Sequence, residues 1–175
     1  MIKGNPNVLS LLWLDKKNII SQKPEWDAVL AIKESFVSKQ AYYSFNGYAY
    51  SQLKKMTAFS FDGYMRAKRK QLVVKNGYDT KNAAHLIRLL RMGIEFLLTG
   101  NLRVDRTGMD SEELLDIKLG RWTLEKVKDE ADSLFEESKL ARALSCLPEH
   151  PDKDRINKMC VDVLGKNIMK NMSTG

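Results

Sequence analysis

Lys81, His85 and Arg88 follow one another at spacings of four and then three residues, the interval that stacks side chains on one face of an α-helix. Two permanent cations with a titratable imidazole between them suit an anion. Arginine offers a planar fork of donors and lysine a compact charge. Histidine offers one hydrogen bond when neutral and a third positive charge when protonated, and the sequence does not decide which form His85 takes. Phosphate is the anion that fits this set of donors best.

The helix that must carry them reads Asn76 to Thr99. Gly77 takes a left-handed turn without steric cost, and Asp79 is a helix cap just after it. At about 100° per residue, Ala83, Leu86, Ile87, Leu90, Ile94 and Leu97 gather on one broad face. Lys81, His85 and Arg88 fall opposite, with Glu95 below them and Arg91 at the edge as a further phosphate ligand. Ala84 flanks the basic stripe on one side, Leu89 and Phe96 on the other. A solvated helix face is broad and polar. A narrow basic stripe with apolar borders predicts the wall of a cleft, and a surface helix that is merely basic is the alternative. The preceding helix, Tyr64 to Val74, carries Arg66, Lys68, Arg69 and Lys70. That run is either a solvated face or a positive rim for a nucleic-acid backbone.

A chain of 175 residues with 43% hydrophobic content fits one domain with a real core. We expect an all-α domain of six to eight helices over residues 1–168 and a disordered tail over 169–175. A net charge of +7 favours polyanionic partners without requiring nucleic acid. Cys146 and Cys160 lack zinc-ligand spacing and a disulfide-rich context, which predicts buried thiols in a reducing compartment. No run of about 18 apolar residues could span a membrane, and Met1 to Asn5 does not open a signal peptide. The expected location is cytoplasmic.

Asn5 and Pro6 start a short helix in which Val8, Leu9, Leu11, Leu12 and Trp13 leave little polar surface. A helix apolar all round needs cover on several sides, either from this chain's core or from a partner docked on Val8, Leu11, Leu12 and Trp13. Pro24 to Val37 reads as one helix, and Ser38 to Ala58 as an aromatic-rich third containing Tyr42, Tyr43, Phe45, Tyr48 and Tyr50. Those rings, with Lys39, Lys54 and Lys55 among them, suit either core packing or base stacking. Gly47 in the middle costs roughly 1 kcal/mol against alanine, which a close helix contact or an approaching ligand would explain. Leu102 to Val104 is a strand or an extended connector. Asp110 caps a helix to Lys118 ended by Gly120, Thr123 begins a long helix to about Leu144, and Asp152 or Asp154 caps the last.

Recognisable catalytic constellations are few. Phosphate-binding glycine loops, His-x-x-Glu-His and paired Cys-x-x-Cys spacings are missing. His85 and His150, the only histidines, cannot form a His-rich metal site. Asp152-Lys153-Asp154 falls at a helix N-terminus, where acids are favoured electrostatically, so no metal ligands are assigned. The J-domain-like tripeptide His150-Pro151-Asp152 follows an acidic helix rather than a basic one and is a chance match.

The segment Gly77-Tyr78-Asp79-x-Lys81-x-Ala83-x-His85-x-x-Arg88-Leu89 resembles the C-terminal part of a family of DNA polymerase β-like predicted nucleotidyltransferases, associated with RNA repair in bacteria and phages. Gly4 to Val8 with Leu11 to Trp13, Phe45-x-Gly47-Tyr48-Ala49 with Gln52-Leu53, Ile117-Lys118-x-Gly120 and Leu147-Pro148-Glu149 resemble it in the same order. The resemblance implies a helical substrate-binding half. In that family a glycine-serine turn and paired strand aspartates precede the Asn-Pro-Asn region and hold magnesium and a nucleoside triphosphate. This sequence lacks them, so the resemblance implies that those cofactors bind only with a catalytic partner chain, since two-metal phosphoryl transfer needs the carboxylates. It also implies that Val8 to Trp13 would face the missing sheet.

Three expectations follow. The first is a nucleotide- or RNA-end-binding half of a nucleotidyltransferase, with Lys81, His85 and Arg88 on phosphates, Tyr48 and Tyr78 stacking a base, and Asp79 capping the helix or orienting Lys81. The second is a non-enzymatic nucleotide- or nucleic-acid-binding factor that sequesters or inhibits. The third is a fragment stable only through self-association.

Overall fold

A computed structural model describes residues 5–57 and 67–172. The described residues form eight α-helices and no strand: α1 (Pro6–Leu9), α2 (Glu25–Ala31), α3 (Ala41–Thr57), α4 (Ala67–Asn76), α5 (Thr80–Thr99), α6 (Ser111–Lys118), α7 (Leu124–Leu144) and α8 (Lys153–Met172). Short 3-10 turns cover Ser10–Trp13, Lys16–Asn18 and Lys33–Phe36. The all-α expectation holds. The expected helix from Pro24 to Val37 breaks at Ile32 into α2 and a 3-10 turn, and α3 starts three residues later than its apolar pattern suggested. Helix α8 runs to Met172, past the boundary expected at residue 168.

Helix α5 is the centre of the fold, packed against α3, α6 and α7. The Asp79 carboxylate accepts from the backbone N–H groups of Lys81 and Asn82 at 3.1 and 3.2 Å, satisfying donors that the helix itself leaves open. At the other end Gly100, at φ 72°, closes the helix by donating to the Phe96 carbonyl at 2.8 Å. Between the caps α5 buries more than one face: Leu89, Met92, Gly93 and Phe96 are inside along with the predicted stripe. What stays open is a strip along its N-terminal half, with Leu98 and Thr99 at the C-terminal end.

Close approach of α3 to α5 depends on Gly93, where a Cβ would stand 2.8 Å from Cβ of Phe45. The contact expected at Gly47 does not exist, because a Cβ there meets nothing within 4 Å. Helix α7 is tied to α3 by the Asn46 amide, which donates to the buried Ser138 hydroxyl at 2.7 Å.

The N-terminal segment folds onto this chain's own core. Asn5 caps α1 by accepting from the Asn7 backbone N–H at 3.0 Å. Leu9 and Leu12 are buried. The Trp13 ring meets Phe96 edge-on at 5.5 Å, and its indole N–H donates to Asn101 at 3.2 Å. Of the four expected partner-interface residues, Leu12 is therefore spent internally, Val8 and Trp13 are half-buried, and Leu11 alone is largely open, at 42% exposure. The two cysteines are exposed rather than buried. Cys146 lies just past the end of α7, and Cys160 is one residue off the inward stripe Ile156, Met159 and Val163 of α8.

Residues Leu102 to Val104 form an irregular connector, not a strand. An ion-pair network clamps it. Arg106, buried, binds Asp110 through two parallel hydrogen bonds of 2.8 and 2.7 Å and Glu95 at 2.6 Å. Asp110 occupies the N-cap position of α6, but its carboxylate serves Arg106 rather than the helix amides.

Candidate functional site

The open strip of α5 is one wall of a cleft of about 390 Å³. Lys81, Ala84, His85 and Arg88 line that wall, Val104 to Arg106 close one end, and Ser111, Leu114, Leu115 and Lys118 of α6 face them. The three expected donors do converge in a cleft. Its apolar border is not the expected one, however: Ala84 contributes, whereas Leu89 and Phe96 are buried in the core, and α6 supplies Leu114 and Leu115 instead. The α5 wall is thus mainly cationic, and the α6 wall sets Leu114 and Leu115 beside Ser111 and Lys118.

Arg88 is anchored at one point, its Nη2 donating to the Val104 carbonyl at 3.3 Å. Its Nε is buried and has no hydrogen-bond partner. A buried donor left unsatisfied costs on the order of 1–3 kcal/mol, a cost that the fold carries at Arg88. Among the described residues no carboxylate forms an ion pair with Lys81, Arg88 or Lys118. Asp105 is the acid on the cleft's lining, and its charge is answered by Lys17 at 3.5 Å and by the Thr107 backbone N–H at 3.0 Å.

Burial pushes the His85 imidazole below its ordinary value of 6.5, and the positive charges of Arg88, Lys81 and Lys55 push it the same way. Both effects favour the neutral imidazole. An anion bound there would relieve the repulsion and favour the charged ring. Lys55, on α3, was not singled out as a site residue, and its influence on His85 arises because α3 packs beside α5.

Other expected site residues have different roles. Arg91 is bound by Glu113 and by Glu130 at 2.6 Å, with Asp110 3.6 Å away, so its guanidinium is committed to clamping α5, α6 and α7. It is not available for phosphate. Tyr78 is 1% exposed and donates its hydroxyl to the Trp122 carbonyl at 2.7 Å, so it cannot stack a base. Asp79 caps α5, as expected. Tyr48, 37% exposed on α3, does not line the cleft. In the expected basic rim, Arg66 lies outside the described residues, as do the side chains of Lys68 and Arg69, and Lys70 is exposed on α4. Sequence reasoning missed Lys118, Ser111, Leu114 and Leu115 as cleft residues. Their signal was present only in the helical spacing of 111, 114, 115 and 118, which puts them on one face of α6.

Among the described residues no group of three or more His, Cys, Asp or Glu side chains is placed to hold a metal ion, and no helix is long and apolar enough to cross a membrane. Compared with protein-family models, curated proteins and solved structures, the chain shows no match. The chemistry available in the cleft is recognition of an anion that carries an apolar part.

Proposed function

We propose that this chain binds the phosphates of a nucleotide or of an RNA end in the α5–α6 cleft, as the helical substrate-binding half of a nucleotidyltransferase. The observation that carries the reading is the set Lys81, His85 and Arg88 lining one wall, for which no carboxylate ion-pair partner is found among the described residues. Phosphate oxygens accept from Arg88 and Lys81, and His85 donates one hydrogen bond or takes up a proton. Leu114 and Leu115 offer an apolar surface to sugar or base. Magnesium and the transfer step need a set of metal-binding carboxylates, which in this reading a catalytic partner supplies. The resemblance of residues 77–89 to the nucleotidyltransferases supports this assignment.

A second reading, a nucleotide-binding factor without catalysis, is favoured by one observation. The cleft is lined from within this chain, so binding needs no partner to complete it.

A thermal-shift series with nucleoside triphosphates, cyclic nucleotides and short RNAs tests the binding. A ligand at a hundredfold excess over its Kd adds about 2.7 kcal/mol, and that shift should vanish in Arg88→Ala. Absence of a shift with every phosphate ligand would contradict both readings. Nucleotide transfer that appears only on mixing with a metal-binding partner, and fails with Lys81→Ala/Arg88→Ala, separates the first reading from the second.

A further inference from the structure

Helix α3 turns Phe45, Ala49, Gln52 and Met56 inward. The opposite face, Tyr43, Gly47, Tyr50 and Lys54, follows the same spacings of four, three and four residues and looks outward. Tyr43 and Tyr50 are 59% and 53% exposed. Each ring carries a cation: the Arg142 guanidinium of α7 lies 4.6 Å from the Tyr43 centroid, and the Lys54 ammonium 4.7 Å from that of Tyr50. Helix α3 contains no Asp or Glu from Ala41 to Thr57. Lys39 and Lys139, engaged by Glu149 and Glu136, are not counted as available charges.

Gly47, between the two rings, is the telling residue. Glycine inside an exposed helix destabilises it by roughly 0.8–1.0 kcal/mol against alanine. No packing among the described residues explains its presence, since a Cβ would meet none of them within 4 Å. A local cost with no compensation inside the fold marks a functional position. What the glycine provides is a notch between two exposed aromatic rings. Residues seven apart are separated along a helix by about 10.5 Å, a length that about three stacked steps cover at about 3.4 Å each.

We propose that the outer face of α3 is a second binding site, separate from the cleft, that takes single-stranded nucleic acid. Bases stack on Tyr43 and Tyr50 and lie over Gly47, and Arg142 and Lys54 meet the phosphates. Unpaired bases expose π-faces to such rings and duplexes do not, so single strands are the class selected.

Fluorescence anisotropy of a labelled short oligouridylate, with oligothymidylate and a duplex as companion probes, tests the site on the full chain at low salt. Tyr43→Ala and Tyr50→Ala should each weaken single-strand binding by roughly tenfold, and the phenylalanine variants should restore it. Gly47→Ala should raise Tm while weakening binding, two effects that a merely structural role would not combine. Lys81→Ala/Arg88→Ala disables the cleft, which itself takes an RNA end, so Tyr43→Ala and Tyr50→Ala are also made in that background, where each should still weaken single-strand binding. The proposal is overturned if single strands do not bind, if the alanine variants bind as before in either background, or if duplex binds equally well. A nucleoside triphosphate, too short to span both rings, reads the cleft alone, so failure of either site is read separately.

Discussion

The behaviour of Arg88 and His85 follows from what surrounds each side chain. Arg88 is fixed by one hydrogen bond to Val104 and lines the cleft. A charge-assisted hydrogen bond contributes about 1.5–3 kcal/mol, so Arg88→Ala should weaken nucleotide binding by roughly ten- to a hundredfold with little loss of fold stability, measured by calorimetric titration alongside thermal melting. His85 adds a pH dependence whose sign is fixed. Its folded pKa lies below the ordinary 6.5 because of burial and of Arg88, Lys81 and Lys55. The unfolded chain therefore takes up this proton more readily, and stability present above about pH 6.5 is lost as pH falls through the folded value. Anion binding works in the opposite direction, because a bound negative charge raises the pKa and draws a proton in. Affinity for sulfate, whose own charge is constant in this range, should rise as pH falls from the alkaline side of neutrality toward 6. His85→Gln should flatten that rise, and a flat profile in the unaltered protein would show that no anion sits near the imidazole.

At the scale of elements, some helix ends were legible in the sequence because capping is local. Asp79, Thr123, Asp152 and Gly100 each satisfy backbone groups within four residues of themselves. The broad apolar stripe of α5 was legible for the same reason. Which cations stay free was not legible, because neutralisation comes from distant elements. Arg91 is captured by Glu113 and Glu130, 22 and 39 residues further on, and Tyr78 is covered by Trp122, 44 residues away. Nothing in the spacing of residues 78–91 separates those two from Lys81 and Arg88. Glycine roles were likewise misplaced, since a helical glycine in sequence does not reveal what faces it. Gly93→Ala should therefore cost about 1–3 kcal/mol by forcing α3 and α5 apart at Phe45, read as a lower denaturant midpoint. A Gly93→Ala protein as stable as the original would mean that the α3–α5 contact is looser than described. Removing Arg106 leaves Glu95 and Asp110 facing each other across a partly buried site. Arg106→Ala should destabilise by about 3–5 kcal/mol, detectable by the same unfolding measurement.

Across the whole molecule, the basic excess of +7 matters less than where carboxylates are absent. The acids Glu95, Asp110, Glu113 and Glu130 gather on Arg91 and Arg106, holding α5, the connector, α6 and α7 together at the cleft's rear. Lys81, His85, Arg88 and Lys118 are left to face the cleft. The ion-pair network thus builds the wall on which an unneutralised anion site is mounted. The central claim is that a phosphate ligand sits against His85, and the chain's possession of only two histidines makes it directly testable. Proton NMR can follow both imidazoles through a pH titration, with and without a nucleoside triphosphate. In the free protein the His85 pKa should lie below 6.5 and should move upward when nucleotide binds, with no response to nucleotide in the His150 signal. A His85 resonance that ignores the nucleotide, or two imidazoles that shift alike, would contradict the placement of the ligand in the α5–α6 cleft.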